Sequence, residues 1–193
     1  MIDSKDKIIL VDCDGVLCDW LFAYDVYNET NGLKVLESDC YNVATRYGIT
    51  SEQAKRAVRV FNDSAAIGFL PPLRDAVHYI KRLYYRHGYK FHVITSLSAD
   101  KHAQKLRIMN LEMLFGAEVF DGFTFRACGA SKDSALAKWE GSNCYWVEDL
   151  DANAENGAKY GLDPLLIAHQ FNSDAEHPRF ANWKEIYRHI AAE

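Results

Sequence analysis

The chain has 193 residues, 49% of them hydrophobic and 25% charged, with a formal net charge of −5. That length suits one α/β domain with a modest insertion, and that balance excludes a disordered chain. The acidic total gives no support for tight binding to duplex nucleic acid, although a local basic rim would still serve a small phosphate ester. Cys13, Cys18, Cys40, Cys128 and Cys144 are odd in number and include no C-x-x-C pair. They read as reduced thiols of a cytoplasmic protein, not as a disulfide framework or a zinc site.

The amino-terminal residues 1–7 lack a charged-then-apolar leader, and no apolar run approaches the ~18 residues of a membrane span. Ile8-Ile9-Leu10-Val11 reads as a buried strand that ends at Asp12. Asp12-Cys13-Asp14-Gly15-Val16-Leu17 follows it. Two carboxylates one residue apart on the exit loop of a buried strand are costly unless a cation is held near them. Mg²⁺ suits that position, because it favours one or two carboxylates together with substrate phosphate oxygens. One Asp can then attack phosphorus while the other exchanges protons with the leaving oxygen. An EF-hand loop counted from Asp12 is excluded, since Leu17 stands where its Gly belongs and Ala23 where its closing Glu belongs.

Residues 18–32 are expected to be helical, with Trp20, Tyr24 and Tyr27 on one face and Asn31-Gly32 as the stop. A second helix is expected from Thr50, capped by its hydroxyl with Gln53 reaching back, to Asn62. Ala54, Ala57, Val58 and Phe61 form its inner stripe. Pro71-Pro72 marks a return, so residues 18–72 are predicted to form a small helical insertion.

From Leu73 strands and helices alternate. A helix with Val77, Ile80 and Leu83 stops at Gly88, and Tyr89 to Thr95 forms the next strand. A helix over 100–115 follows, then a strand over 119–125 and a helix over 133–140. A strand over 144–147, a helix ending near Gly161, a short strand over 165–168 and a terminal helix over 183–191 complete the chain. The pattern predicts a mainly parallel, Rossmann-like sheet covered on both faces in three layers, with functional residues at the carboxyl ends of the strands.

Three further strand ends carry chemistry. Thr95 and Ser96 offer adjacent hydroxyls that can hydrogen-bond a phosphate. Lys132, at a loop-to-helix junction, can reach inward as a point charge; Lys138 competes for that role from further along the helix, beside Trp139. Glu148 and Asp149 follow an apolar strand as candidate metal ligands, with Asp149 direct and Glu148 behind it, while Asp151 is expected to cap the next helix.

These four pieces, in this order, resemble the motifs of the haloacid dehalogenase-like superfamily of Mg²⁺-dependent phosphohydrolases. The resemblance implies a superfamily core over 1–17 and 73–193 with a helical cap over 18–72. It implies Asp12 as nucleophile and Asp14 as general acid/base, with Thr95 and Lys132 holding the phosphoryl group. Asp12, Asp14, Asp149 and Glu148 would gather around the metal.

Within the superfamily the chain is most similar to 5'(3')-deoxyribonucleotidases, including bacterial and phage-encoded ones, through Asp12 to Trp20, Thr95-Ser96, Leu70-Pro71-Pro72-Leu73 and Asn182 to Ile186. That similarity implies a nucleoside monophosphate substrate, with Trp20, Tyr41 and Phe69 as base-holding aromatics and Ser96 near the phosphate. It also implies a cytoplasmic role in nucleotide metabolism of a bacterial or phage-infected cell. Glu148 stands where those nucleotidases usually carry Asp. A phosphatase for a sugar phosphate or a polynucleotide 3'-phosphate is the alternative, with a non-catalytic nucleotide-binding protein behind it. The aromatic cap is compatible with a homodimer as well as with a base pocket.

Overall fold

A computed structural model describes residues 7–192. The amino-terminal stretch 1–6, the greater part of the segment expected to carry no leader, lies outside the described residues. Strand β1 (Ile8–Val11) is buried along its whole length because both its faces are covered. Ile9 and Val11 point into a larger core, Ile8 and Leu10 into a smaller one on the other side of the sheet.

The remaining strands are β2 (Lys90–Leu97), β3 (Phe120–Ala127), β4 (Tyr145–Glu148), β5 (Asp163–Ile167) and β6 (Arg179–Phe180). They form one six-stranded sheet in the order β3-β2-β1-β4-β5-β6, with every neighbouring pair parallel. The chain turns from one side of β1 to the other between β3 and β4, which opens a crevice at the carboxyl ends of β1 and its neighbours.

Helices α1 (Trp20–Thr30), α2 (Val43–Tyr47) and α3 (Ser51–Asn62) lie between β1 and α4 (Ala76–His87). Then come α5 (Lys101–Phe115), α6 (Asp133–Leu136), α7 (Asp151–Lys159) and α8 (Trp183–Ala191). Residues of α4, α5 and α8 fill the core on the Ile9/Val11 face, whereas Ala135 and Leu136 of α6 pack with Trp146 on the other. The three-layer α/β arrangement expected from the alternating pattern is therefore present. Asp75 accepts from the backbone N–H groups of Trp183 and Lys184, which seats the start of α8 beside that of α4. The buried Trp183 indole donates to the Val16 carbonyl at 2.8 Å, anchoring the loop after β1.

In the segment between β1 and α4, Asp19 caps α1 and the Thr50–Gln53 capping box opens α3. Trp20 stacks on Tyr24, and both pack against Phe61. The two connections of this segment to the sheet run side by side. The Asp19 N–H donates to the Pro71 carbonyl, and the Leu73 N–H to that of Leu17.

The structure departs from the expected elements in several places. Strand β2 runs on through Ser96 to Leu97 because those residues pair with Arg126 and Ala127 of β3. The helix expected over 133–140 is α-helical only to Leu136 and tightens into a 3₁₀ turn over 137–139. Helix α2 and the two-residue β6 were not expected, being too short to show a period. Asp151 does not cap α7. It is that helix's first residue, Leu150 occupies the cap position, and a buried Asp151 carboxylate oxygen has no hydrogen-bond partner among the described residues. No described helix is long and apolar enough to cross a membrane.

Candidate active site

The chain leaves β1 at Asp12 and turns at once. The backbone N–H groups of Leu17 and Cys18 both donate to the Cys13 carbonyl at 2.9 Å, and Gly15 takes a left-handed φ of 74°. Only glycine fits at position 15. A Cβ there would lie 2.1 Å from Asp149 Oδ2, so the turn after β1 and the end of β4 touch through the missing side chain. Asp12, at 7% exposure, accepts from the Cys13 N–H through Oδ1 and from Lys132 Nζ through Oδ2 at 2.8 Å.

Lys132 enters from the residue before α6, is 3% exposed, and bridges two carboxylates: its Nζ also lies 2.6 Å from Glu148 Oε1. The Trp146 ring lies beneath the same ammonium at 5.2 Å. Lys138 is exposed. Glu148 is completely buried and accepts from the backbone N–H groups of Asp149 and Leu150 and from Asn153 Nδ2 as well. With four donors its two oxygens are fully used, so its chemistry is to fix Lys132 and the loop after β4. Asp149 is held from behind by Asn172, whose Nδ2 donates to the Asp149 and Ile167 carbonyls.

Asp12, Glu148 and Asp149 bring one carboxylate oxygen each within 4.8 Å of one another. Three buried acids answered by a single lysine leave negative charge in excess. Burial pushes the Asp12 carboxyl up to about 6 despite Lys132, and holds Asp149 well above the ordinary carboxylate range, with Glu148 and Asp12 adding to the effect. Burial opposes ionisation of Glu148 too, but Lys132 and the loop N–H groups outweigh it and keep that carboxyl low. Lys132, for which burial alone would favour the neutral form, stays cationic because of Asp12 and Glu148. A divalent cation would relieve Asp12 and Asp149, whose oxygens are the less committed; the donor set fits Mg²⁺.

Asp14 is not part of that cluster. Its Oδ1 is 2.6 Å from Nη1 of Arg107 on α5, and its side chain is 26% exposed against 10% for Asp12. Thr95, near the end of β2, is 1% exposed, and its hydroxyl has no hydrogen-bond partner among the described residues. That orphan donor at a strand end is what a phosphate oxygen would satisfy. Ser96 is half-buried on the same strand.

The three aromatics expected to hold a base have different surroundings. Trp20 is held inside the helical segment, its indole donating to Asn62 at 2.9 Å. Phe69 is largely exposed. Tyr41 lies at the edge of the site: half of its surface is exposed, its ring leans on Phe171 at 4.9 Å, and its phenol is raised by partial desolvation followed by the charges of Asp149 and Asp12. Phe171 stacks on His169, and the His169 ring bonds the Gly15 carbonyl at 2.7 Å. Sequence reasoning missed Arg107, Asn153, His169, Phe171 and Asn172. Only Arg107 carried a signal, since it interrupts the buried stripe Ala103, Arg107, Leu111 of α5.

No family model and no curated protein matches the sequence. Solved structures do match. A haloacid dehalogenase-like family hydrolase from Streptococcus pneumoniae superposes with a TM-score of 0.64 at 14% identity, covering 97% of this chain and 99% of that one. The fold is that of the haloacid dehalogenase-like hydrolases. A D,D-heptose 1,7-bisphosphate phosphatase from B. bronchiseptica, solved with magnesium and phosphate, shares this fold at a TM-score of 0.58 and 12% identity, over 96% and 98% of the chains. So does a family hydrolase from Deinococcus radiodurans with bound phosphate and sodium, at 0.58 and 13%, over 98% and 97%. Asp12 thus stands at the end of the sheet's central strand, where α/β folds of this kind place their ligands.

Proposed function

We propose that the chain is a Mg²⁺-dependent phosphomonoesterase that cleaves deoxynucleoside monophosphates through an aspartyl-phosphate on Asp12. The observation that carries the reading is the convergence on Asp12. A buried lysine and a second carboxylate loop flank it, and the unpartnered Thr95 hydroxyl stands on the adjacent strand. Mg²⁺ held by Asp12 and Asp149 would neutralise the equatorial charge of the transferring phosphoryl group.

An Asp12 oxygen attacks phosphorus and the bond to the leaving sugar oxygen breaks. Asp14, the more exposed of the two motif acids, gives that oxygen its proton. Ionised again, Asp14 takes a proton from a water molecule that hydrolyses the acyl-phosphate, so Asp12 is restored and inorganic phosphate leaves. Lys132 keeps Asp12 oriented and shares the charge of the phosphoryl oxygens, while Thr95 donates to one of them. Tyr41 and Phe171 form an apolar lip at the mouth, suited to the flat face of a nucleobase.

The test is phosphate release from a panel of 5'- and 3'-nucleoside monophosphates, sugar phosphates and 3'-phosphorylated oligonucleotides, with Mg²⁺ and with chelator, using Asp12→Asn as blank. Metal-dependent release from deoxynucleotides supports the reading. Release only from sugar phosphates or oligonucleotide ends keeps the chemistry and replaces the substrate. Binding without any release contradicts the enzyme.

A further inference from the structure

We infer that Arg107 is a positioning residue for Asp14: a buried guanidinium on α5 that holds one carboxylate oxygen of Asp14 and so aims the other at the leaving group. The inference rests on the phosphomonoesterase reading and adds a residue that none of the four motifs contains.

Arg107 is completely buried, with Asp14 as its one ion-pair partner among the described residues. Its Nε and Nη2 have no hydrogen-bond partner there. Burial works against the charge, yet Asp14 keeps the guanidinium firmly protonated. A desolvated arginine with two unsatisfied nitrogens is poor core material. An apolar side chain of similar length would fill the same volume without that cost. Simple stability therefore does not account for an arginine here, and its single strong contact does.

The geometry gives the contact a function. The fully buried Arg107 takes Asp14 Oδ1 at 2.6 Å, while the Asp14 side chain stays 26% exposed. Asp14 lies inside a turn that is itself pinned, by the Leu17 and Cys18 N–H groups on the Cys13 carbonyl and by the Trp183 indole on the Val16 carbonyl. With backbone and one oxygen both fixed, the remaining oxygen has little freedom, and orientation of an acid–base group is a large part of its effect. Helix α5 is in turn fixed to the return of the helical segment. Asn110 donates to the Leu70 carbonyl at 3.1 Å, and the Leu106 side chain packs at the Gly68 backbone, 3.3 Å from where a Cβ would sit. The arm that holds Asp14 is thus seated where that segment rejoins the sheet.

Leaving-group dependence separates positioning of a proton donor from general damage. A nitrophenolate leaves without a proton, whereas a sugar alkoxide needs one. The experiment measures kcat/KM, which reports the phosphorylation step, for p-nitrophenyl phosphate and for a deoxynucleoside 5'-monophosphate. It compares wild type, Arg107→Met, Arg107→Lys, Asp14→Asn and the Arg107→Met/Asp14→Asn pair. Arg107→Met should lose at least tenfold more on the nucleotide than on the aryl ester, Arg107→Lys should restore part of that difference, and the pair should be no worse than Asp14→Asn alone. If the Met variant does not fold, Arg107→Lys decides by showing the same selectivity at smaller amplitude. Equal losses on both substrates, or additive losses in the pair, overturn the positioning role while leaving the phosphatase intact. A wild-type protein that hydrolyses neither ester, nor any other ester of the substrate panel, overturns the phosphatase reading, and the Arg107 role with it.

Discussion

Gly15→Ala is the smallest change that reaches both halves of the proposed metal site. Gly15 sits at φ 74°, where an L-residue costs about 1–2 kcal/mol. In a chain of this length that lowers Tm by about 2–8 °C. The new methyl would also stand 2.1 Å from Asp149 Oδ2 and 2.9 Å from its Cγ. Ordinary contact begins at 3.4 Å, so the carboxylate must retreat by about 1.3 Å (3.4 minus 2.1). Asp149 is 5% exposed and its backbone is tied to Asn172. It has little room to retreat except by giving up its place beside Asp12. The assay is thermal unfolding in chelator and across a Mg²⁺ titration. Wild type should gain about 2.7 kcal/mol when Mg²⁺ stands a hundredfold above its dissociation constant, a rise of several degrees. Gly15→Ala should start lower and require at least tenfold more Mg²⁺ for the same rise, with phosphate release down at least a hundredfold. An unchanged Mg²⁺ response, with Tm within a degree of wild type, would refute the claim that Asp149 is a metal ligand placed by this contact.

In chelator, Asp12→Asn should melt above wild type at pH 8. A buried carboxyl held at about 6 against 3.8 costs the metal-free fold on the order of 3 kcal/mol once ionised. Because the folded-state value is the higher one, that cost is absent below about pH 4, grows between 4 and 6 and is complete above that, so the gap between the two proteins should narrow on acidification and largely close by about pH 4; a gap that widens on acidification contradicts the assignment. Lys132→Met leaves Asp12 and Glu148 buried without their shared cation. It should lose about 3–5 kcal/mol in chelator and recover part of it with Mg²⁺. A melting temperature within two degrees of wild type would show that the lysine is not needed. Tyr41→Ala should raise KM for deoxynucleotides about tenfold with kcat nearly unchanged, since stacking on a base is worth about 1–3 kcal/mol. An equal rise for a phosphate ester without a ring would remove Tyr41 from base recognition.

Much of the architecture was legible because the core is organised by period. The continuous apolar runs that became β1, β4 and β5, and the stripe of α3, each bury the faces their spacing predicts. The Thr50–Gln53 capping box was visible for the same reason, being a local device of fixed spacing. What escaped was short or non-local. Strand β6 exists only because Arg179 and Phe180 lie beside β5, and α2 is five residues held by Asn42 and Gly48.

The site divides along the same line. Asp12, Asp14, Thr95 and Asp149 announce themselves as polar residues at or just after the ends of apolar strands, and Lys132 as a lysine at a loop-to-helix junction. The placement of Glu148 under Lys132 depends on four donors drawn from two loops and a helix, which spacing does not encode. Arg107 meets Asp14 across 93 positions of sequence, and Phe171 meets Tyr41 across 130 (171 minus 41). Asp151 shows the reverse error: a residue type suited to capping, displaced from the cap by one position.

The most direct measurement is to quench the protein in acid during incubation with a ³²P-labelled deoxynucleoside monophosphate and Mg²⁺, and to map the label by peptide mass spectrometry. The account predicts acid-stable, hydroxylamine-labile phosphate on the peptide containing Asp12, chased by unlabelled substrate and absent from Asp12→Asn. Turnover with no label on the protein, or with the label on any other residue, would contradict it.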